Sequence, residues 1–158
     1  MTSKMIIREF PLTGNKRWID IQSPSAAELD QFAESHKIHQ QNLKDCLESD
    51  HLPKFEDTEP LQFLITRVIV GNTREDHTVQ EISSKVAMFF DENILITVHR
   101  LPHDFIEDMV KRYVEPKKIH QPKDIAVKLI KGSLRSFERF TLTLNEQIDH
   151  IEDTIFIK

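Results

Sequence analysis

The densest chemistry-bearing stretch of the chain is acidic. Asp45, Glu48, Asp50, Glu56, Asp57 and Glu59 lie close together, with Lys44 and Lys54 as the nearby cations. Carboxylate oxygens are the ligands that hard cations such as magnesium take, and because magnesium keeps most of its water, one or two carboxylates suffice. A solvated acidic face is the commoner use of such a run. His99 and His103 stand four apart, the spacing of a metal pair on a helix. Pro102 falls between them and Ile94 to His99 reads as a strand, so that helical geometry fails. His36 and His39 straddle a joint between two helical segments and read as exposed loop histidines. With glycine only at positions 14, 71 and 132 there is no phosphate-cradling loop, and no serine sits in a nucleophile elbow. Cys46, beside Leu43 and Leu47, reads as a small core residue. A metal-dependent enzyme would have to be built from His99, His103 and scattered acids, and the expectation is that the chain is not an enzyme.

Composition narrows the partners. The 158 residues suit one domain, which can bury ~70% of the surface its unfolded chain exposes. A net charge of −5 without a basic stripe argues against a nucleic-acid surface and suits cations or basic partners. One cysteine rules out an intrachain disulfide and points to a reducing compartment. The first residues lack the apolar core of a signal peptide, and no apolar run approaches the ~18 residues of a membrane span.

The elements that position these groups follow from periodicity. Met5 to Phe10 and Arg17 to Ile21 read as strands around a turn at Pro11 to Asn15. Trp18 is expected in the core. Ser25, with Glu28 three residues on, is a capping box opening a helix whose apolar face is Leu29, Phe32 and Ala33. A shorter helix runs from about His39 to Leu47, and Pro53 stops any continuation. Residues 53–57 are extended, and Leu61 to Val70 is a β-branched, apolar central strand. Gly71 to Asp76 reads as an exposed turn. Lys85 to Phe90 and Ile94 to His99, joined by Asp91-Glu92-Asn93, read as a hairpin. Pro102 leads into a helix from Asp104 to Val114, ended at Glu115-Pro116, and 117–122 is a linker.

From Lys123 the chain reads as one long helix. Ile130, Leu134, Phe137, Phe140, Leu144, Ile148, Ile151 and Ile155 form a single apolar stripe at helical period. Gly132 alone interrupts it, at a cost of about 1 kcal/mol. No capping residue follows Ile155, so the chain reads as the front part of something longer. The expected fold is α/β: a mixed-direction central sheet flanked by helices, followed by a long C-terminal stalk helix. The expected division is 1–122 for the α/β domain and 123–158 for the start of the stalk.

In this order the residues resemble the N-terminal cytoplasmic domain of the CorA family of divalent-cation transporters. The resemblance rests on Trp18-Ile19-Asp20-Ile21, Ser25 with Glu28-Leu29, His39 with Leu43-Lys44-Asp45-Cys46-Leu47, and Pro53-Lys54-Phe55-Glu56. It continues through Phe63-Leu64-Ile65, Asn93 to His99, and Leu144, Ile148-Asp149, Ile151-Glu152-Asp153 and Phe156. It implies a homopentamer whose cytoplasmic domains form a funnel, with a stalk leading into two membrane helices and a Gly-Met-Asn tripeptide at the pore. Neither membrane helix nor tripeptide lies within these residues. The resemblance further implies gating by intracellular magnesium bound between subunits, with cobalt, nickel or, in a sister branch, zinc as alternative ions. Asp45 matches the family's interface aspartate, the position before it being Lys44 rather than the family's frequent acid; its alternative reading is a surface aspartate near a helix end. The parent protein would lie in the cell (inner) membrane with this domain in the cytoplasm. The competing expectation is a free-standing soluble module that oligomerises or binds a partner through the stripe of its last helix.

Overall fold

A computed structural model describes residues 4–70 and 78–156. Six strands form one sheet: β1 (Ile6–Pro11), β2 (Arg17–Gln22), β3 (Lys54–Glu56), β4 (Gln62–Ile69), β5 (Ser83–Phe90) and β6 (Ile94–His99). Their order across the sheet is β1-β2-β6-β5-β4-β3. β2 and β6 run parallel, and all other neighbours are antiparallel. Parallel neighbours need a long crossover, and here everything between β2 and β6 supplies it. The sheet is therefore of mixed direction with helices on both faces, as expected from the alternation of hairpin and crossover signals.

Period-2 alternation sends each strand's residues to two cores. On one face Ile19, Ile21, Phe63, Ile65, Phe89 and Val98 meet α1 (Ala26–His36) and α2 (Gln40–Leu47). On the other, Trp18, Val86, Met88 and Leu95 meet α4 (Asp104–Met109) and the start of α5 (Pro122–Phe156). Trp18 is fully buried there.

Local chemistry sets the boundaries. Ser25 and Glu28 make the reciprocal capping box at the start of α1, and Lys37 closes the helix in the left-handed region at φ 55°. His36 is not in a loop: it is the last residue of α1, and its ring stacks on Phe32 with centroids 4.1 Å apart. His39, by contrast, is exposed at the N-cap of α2. Asp91 Oδ1 accepts from the backbone N–H groups of Asn93 (2.6 Å) and Ile94 (2.8 Å), which folds the β5–β6 hairpin. The expected turn at Gly71 to Asp76 lies outside the described residues. A short helix, α3 (Val79–Ile82), precedes β5. The helix expected over Asp104 to Val114 is α-helical to Met109 and then a π-helical turn, Val110–Val114, closed by the Glu115 N–H to Val110 carbonyl bond.

The long helix α5 runs for 35 residues, about 52 Å at 1.5 Å per residue. Its first turns are part of the globule: Ile125 and Leu129 are fully buried, and Ala126 and Ser133 nearly so. Ser133 Oγ lies 2.6 Å from Thr66 Oγ1, and Ser136 Oγ accepts the Ile69 N–H at 3.0 Å. β3 pairs only with Phe63, Leu64 and Ile65, so the helix serines meet a stretch of β4 that no strand covers. Gly132 permits the close packing of α5 against α4, because a Cβ there would meet Phe105 Cδ2 at 2.8 Å. From Thr141 to Phe156 every residue is exposed, including Ile148, Ile151 and Ile155. The apolar stripe therefore begins near the docked face but is not that face, and Leu134, a stripe member, is 59% exposed.

Candidate functional site

Asp45 sits in the last turn of α2, and its side chain is 5% exposed, turned toward β3 rather than outward. A carboxylate at a helix C-terminus is disfavoured by the helix dipole. Two lysines offset this. Lys85 Nζ donates to the backbone carbonyls of Asp45 and Glu48, capping the helix end. Lys54 Nζ donates to Asp45 Oδ2 and, at 2.8 Å, to Glu56 Oε1. Burial works against the Lys54 ammonium, but the bonds to Asp45 and Glu56 outweigh it and raise its pKa above the ordinary lysine value. His51 Nε2 lies 3.6 Å from Asp45 Oδ1.

Two carboxylates, one helical and one on β3, thus converge on a single cation, and that cation is a lysine. The rest of the acidic patch does not join them: Glu48, Asp50, Asp57 and Glu59 are exposed. Among the described residues no group of three or more His, Cys, Asp or Glu side chains is arranged to hold a metal. Magnesium takes one or two carboxylates and water, so Asp45 and Glu56 fit such an ion on condition that Lys54 moves away.

His99 and His103 are brought together, their rings 5.4 Å apart, but in a different role from metal ligation. His99 Nε2 bonds Asp20 Oδ1 at 3.0 Å, and His99 Nδ1 faces the Leu101 carbonyl at 2.6 Å. Asp20 is fully buried and also accepts from Thr97 Oγ1 (2.5 Å) and Arg8 Nη2 (2.7 Å), while Thr97 accepts from Trp18 Nε1 (3.0 Å). Arg8 then reaches Glu107 on α4 at 2.5 Å. Burial pushes the Asp20 carboxyl up, but His99, Thr97 and Arg8 outweigh it and hold it below the ordinary range. This network ties β1, β2, β6 and α4 together. Sequence reading missed it; the signal was an aspartate on the inward side of an apolar strand. Cys46 is buried, and burial first, with the Asp45 charge adding, pushes its thiol up to about 12, against pulls from Lys85 and Lys54. Among the described residues no helix is long and apolar enough to cross a membrane.

Comparison with known proteins places this architecture. The CmaX protein, solved at full length, matches 90% of this chain with TM-score 0.71 at 13% identity, over 43% of its own length. The soluble domain of CorA from Methanocaldococcus jannaschii matches 90% of this chain with TM-score 0.64 at 21% identity, over 56% of its length. The ZntB cytoplasmic domain from Vibrio parahaemolyticus RIMD 2210633 matches 92% with TM-score 0.71 at 15% identity, over 64% of its length. The chain thus spans less than two thirds of each of these structures. No curated protein sequence matches it. The sequence profile described as CorA-like Mg2+ transporter protein matches residues 14–158, from the first hairpin through all of the exposed helix, and the chain belongs to that family.

Proposed function

We propose that the chain is the cytoplasmic regulatory domain of a divalent-cation transporter, in which intracellular magnesium controls a pore carried by other segments. The observation that supports this best is the extent of the family match: it runs through the globular head and on along α5, whose outer turns no part of the head covers. In this reading 1–122 is the sensor head and 123–158 the start of the stalk, with Ile125 and Leu129 as the stalk's anchor in the head. The parent protein lies in the cell membrane as a homo-oligomer, a pentamer by analogy with the family, and the domain has no catalytic activity of its own.

Asp45 is the proposed regulatory ligand, with Lys54 as its built-in competitor. A lysine already neutralising Asp45 and Glu56 means that an incoming dication gains only the difference between itself and the ammonium. Coulomb attraction scales with charge and favours the dication, but Lys54 is tethered beside both carboxylates, so displacing it takes a high ion concentration, which suits a sensor of abundant magnesium. The stripe residues Ile148, Ile151 and Ile155, each more than half exposed, supply the surface on which neighbouring stalks pack. The same stripe favours the second reading, a self-associating soluble module.

The test uses the natural reading frame that contains this chain, reconstituted in liposomes with a magnesium-sensing dye. Cation flux should close as magnesium on the domain side rises into the millimolar range. Lys54→Met should shift that closure to lower magnesium, and Asp45→Asn should abolish it. Flux indifferent to magnesium on that side, with Asp45 intact, would remove the sensor reading.

A further inference from the structure

A cavity of about 460 Å³ opens at the end of the sheet where the parallel strands β2 and β6 finish, beside the C-terminal end of α2. Crevices outside the carboxyl ends of parallel strands are recurrent ligand sites, and this volume falls within the usual small-molecule range. Among the described residues its wall carries three cations, Arg67, Lys85 and Arg100, and one carboxylate, Glu81. In a chain of net charge −5 this is a local reversal of sign.

The way these cations are held gives the reversal its meaning. Arg67 is buried, with 4% exposure. Its Nε donates to Ser83 Oγ (2.8 Å), Nη1 to the carbonyls of Ser49 and His51 (3.0 Å each), and Nη2 to the Ser83 carbonyl (3.2 Å). A guanidinium has five N–H donors, so one on Nη2 remains. Lys85 Nζ gives two of its three hydrogens to the carbonyls at the end of α2. Both groups are anchored by neutral acceptors, and among the described residues neither forms a salt bridge. Glu81, the one acid in the wall, accepts from the Thr78 N–H and hydroxyl. A buried cation is ordinarily matched by a carboxylate. Here Asp50 acts on Arg67, and Asp45 and Glu48 on Lys85, only through space, so hydrogens on both cations are left for an anion in the crevice. Ser84 adds a hydroxyl to the wall, and Val70, Val98 and Leu101 give it an apolar side.

We propose that this crevice binds a small phosphate-bearing anion, held by Arg67, Lys85 and Arg100, with any organic portion against the apolar side. Phosphate suits the donor set: fixed guanidinium and ammonium groups with spare hydrogens form charge-assisted bonds to its oxygens. The site is separate from the Asp45 carboxylate and does not depend on the cation-sensing reading. The two lie against the same helix end, since Lys85 holds the carbonyl of Asp45 itself.

The experiment is thermal melting and calorimetric titration of this chain in EDTA, with inorganic phosphate and with ATP as separate probes. Ionic strength is held constant with sodium chloride. A saturable rise in Tm with either probe, absent with chloride, is expected. Arg100→Ala, at an exposed position whose side chain makes no hydrogen bond among the described residues, should weaken binding about tenfold without lowering the unliganded Tm; Lys85→Gln should weaken it about as much, at some cost in Tm. Tighter binding of ATP than of phosphate identifies a phosphate ester as the ligand, and the reverse order identifies free phosphate. No saturable response to either probe overturns the proposal, and so does binding in both variants as strong as in the unsubstituted chain. EDTA removes divalent cations, so failure here leaves the magnesium reading where it stands.

Discussion

Acid should weaken this fold in a particular pH window because of one histidine. His103 precedes α4, is 5% exposed, and packs between the rings of His99 and Phe105, each centroid 5.4 Å away. Its Nε2 is buried without a hydrogen-bond partner. Burial first, and then the charge of His99, push its pKa down to about 4, against weaker upward pulls from Asp20 and Asp104. In the unfolded chain it returns to 6.5, so between pH 6.5 and 4 the unfolded state binds the extra proton. Stability therefore falls as pH falls: the contribution is whole above 6.5 and gone below about 4. At about 1.4 kcal/mol per pH unit the whole gap is worth about 3.5 kcal/mol, of which about 3 is lost by pH 4. Urea unfolding of wild type and His103→Leu at several pH values from 7 to 4 measures it. Wild type should lose about 3 kcal/mol more than the variant across this range. Asp20 does not confound the comparison, because its carboxyl is held below 3.8 and the stability it adds is lost only below that pH. Parallel pH curves for the two proteins would refute the argument.

Three further outcomes follow from the packing. Asp20→Asn removes the fully buried carboxylate at the centre of the network and leaves His99 and Arg8 facing a neutral amide, so chemical denaturation should show a loss of about 3 kcal/mol; a loss under about 1 kcal/mol would mean the network is not held as described. Gly132→Ala gains about 1 kcal/mol of helix propensity but drives a methyl group to 2.8 Å from the Phe105 ring, a cost of about 1–3 kcal/mol. The net should be a lower Tm, reversing to a gain in a Phe105→Leu background. Cys46, buried with its thiol pushed up to about 12, should resist a thiol reagent at pH 8 in the folded protein and react at once in denaturant; fast labelling of the native chain would contradict its burial.

What the sequence determines here is what neighbouring residues decide among themselves. The capping box at Ser25 and Glu28, the Asp91 turn and the alternation in Arg17 to Ile21 are contacts over a few positions, and periodicity reveals them. The length of α5 and the continuity of its apolar stripe are local in the same sense. The family-like pieces single out Asp45 only as a candidate, and nothing in them shows Lys54, Glu56 and His51 around it.

Tertiary structure decided the partners. Asp20 meets His99 across 79 positions, and Arg8 meets Glu107 across 99; no spacing rule connects residues so far apart. Lys54 reaches Asp45 because β3 is laid beside the end of α2 by the sheet, not because nine residues separate them. The docked face of α5 carries Ile125 and Leu129 into the core and, further along, brings Ser133 to the Thr66 hydroxyl and Ser136 to the Ile69 N–H, while Leu134 stays exposed. Hydrophobic period tells which residues prefer to leave water. Which apolar side chains find a core to enter, and which backbone groups of β4 are left for a helix hydroxyl, is decided only once the sheet exists.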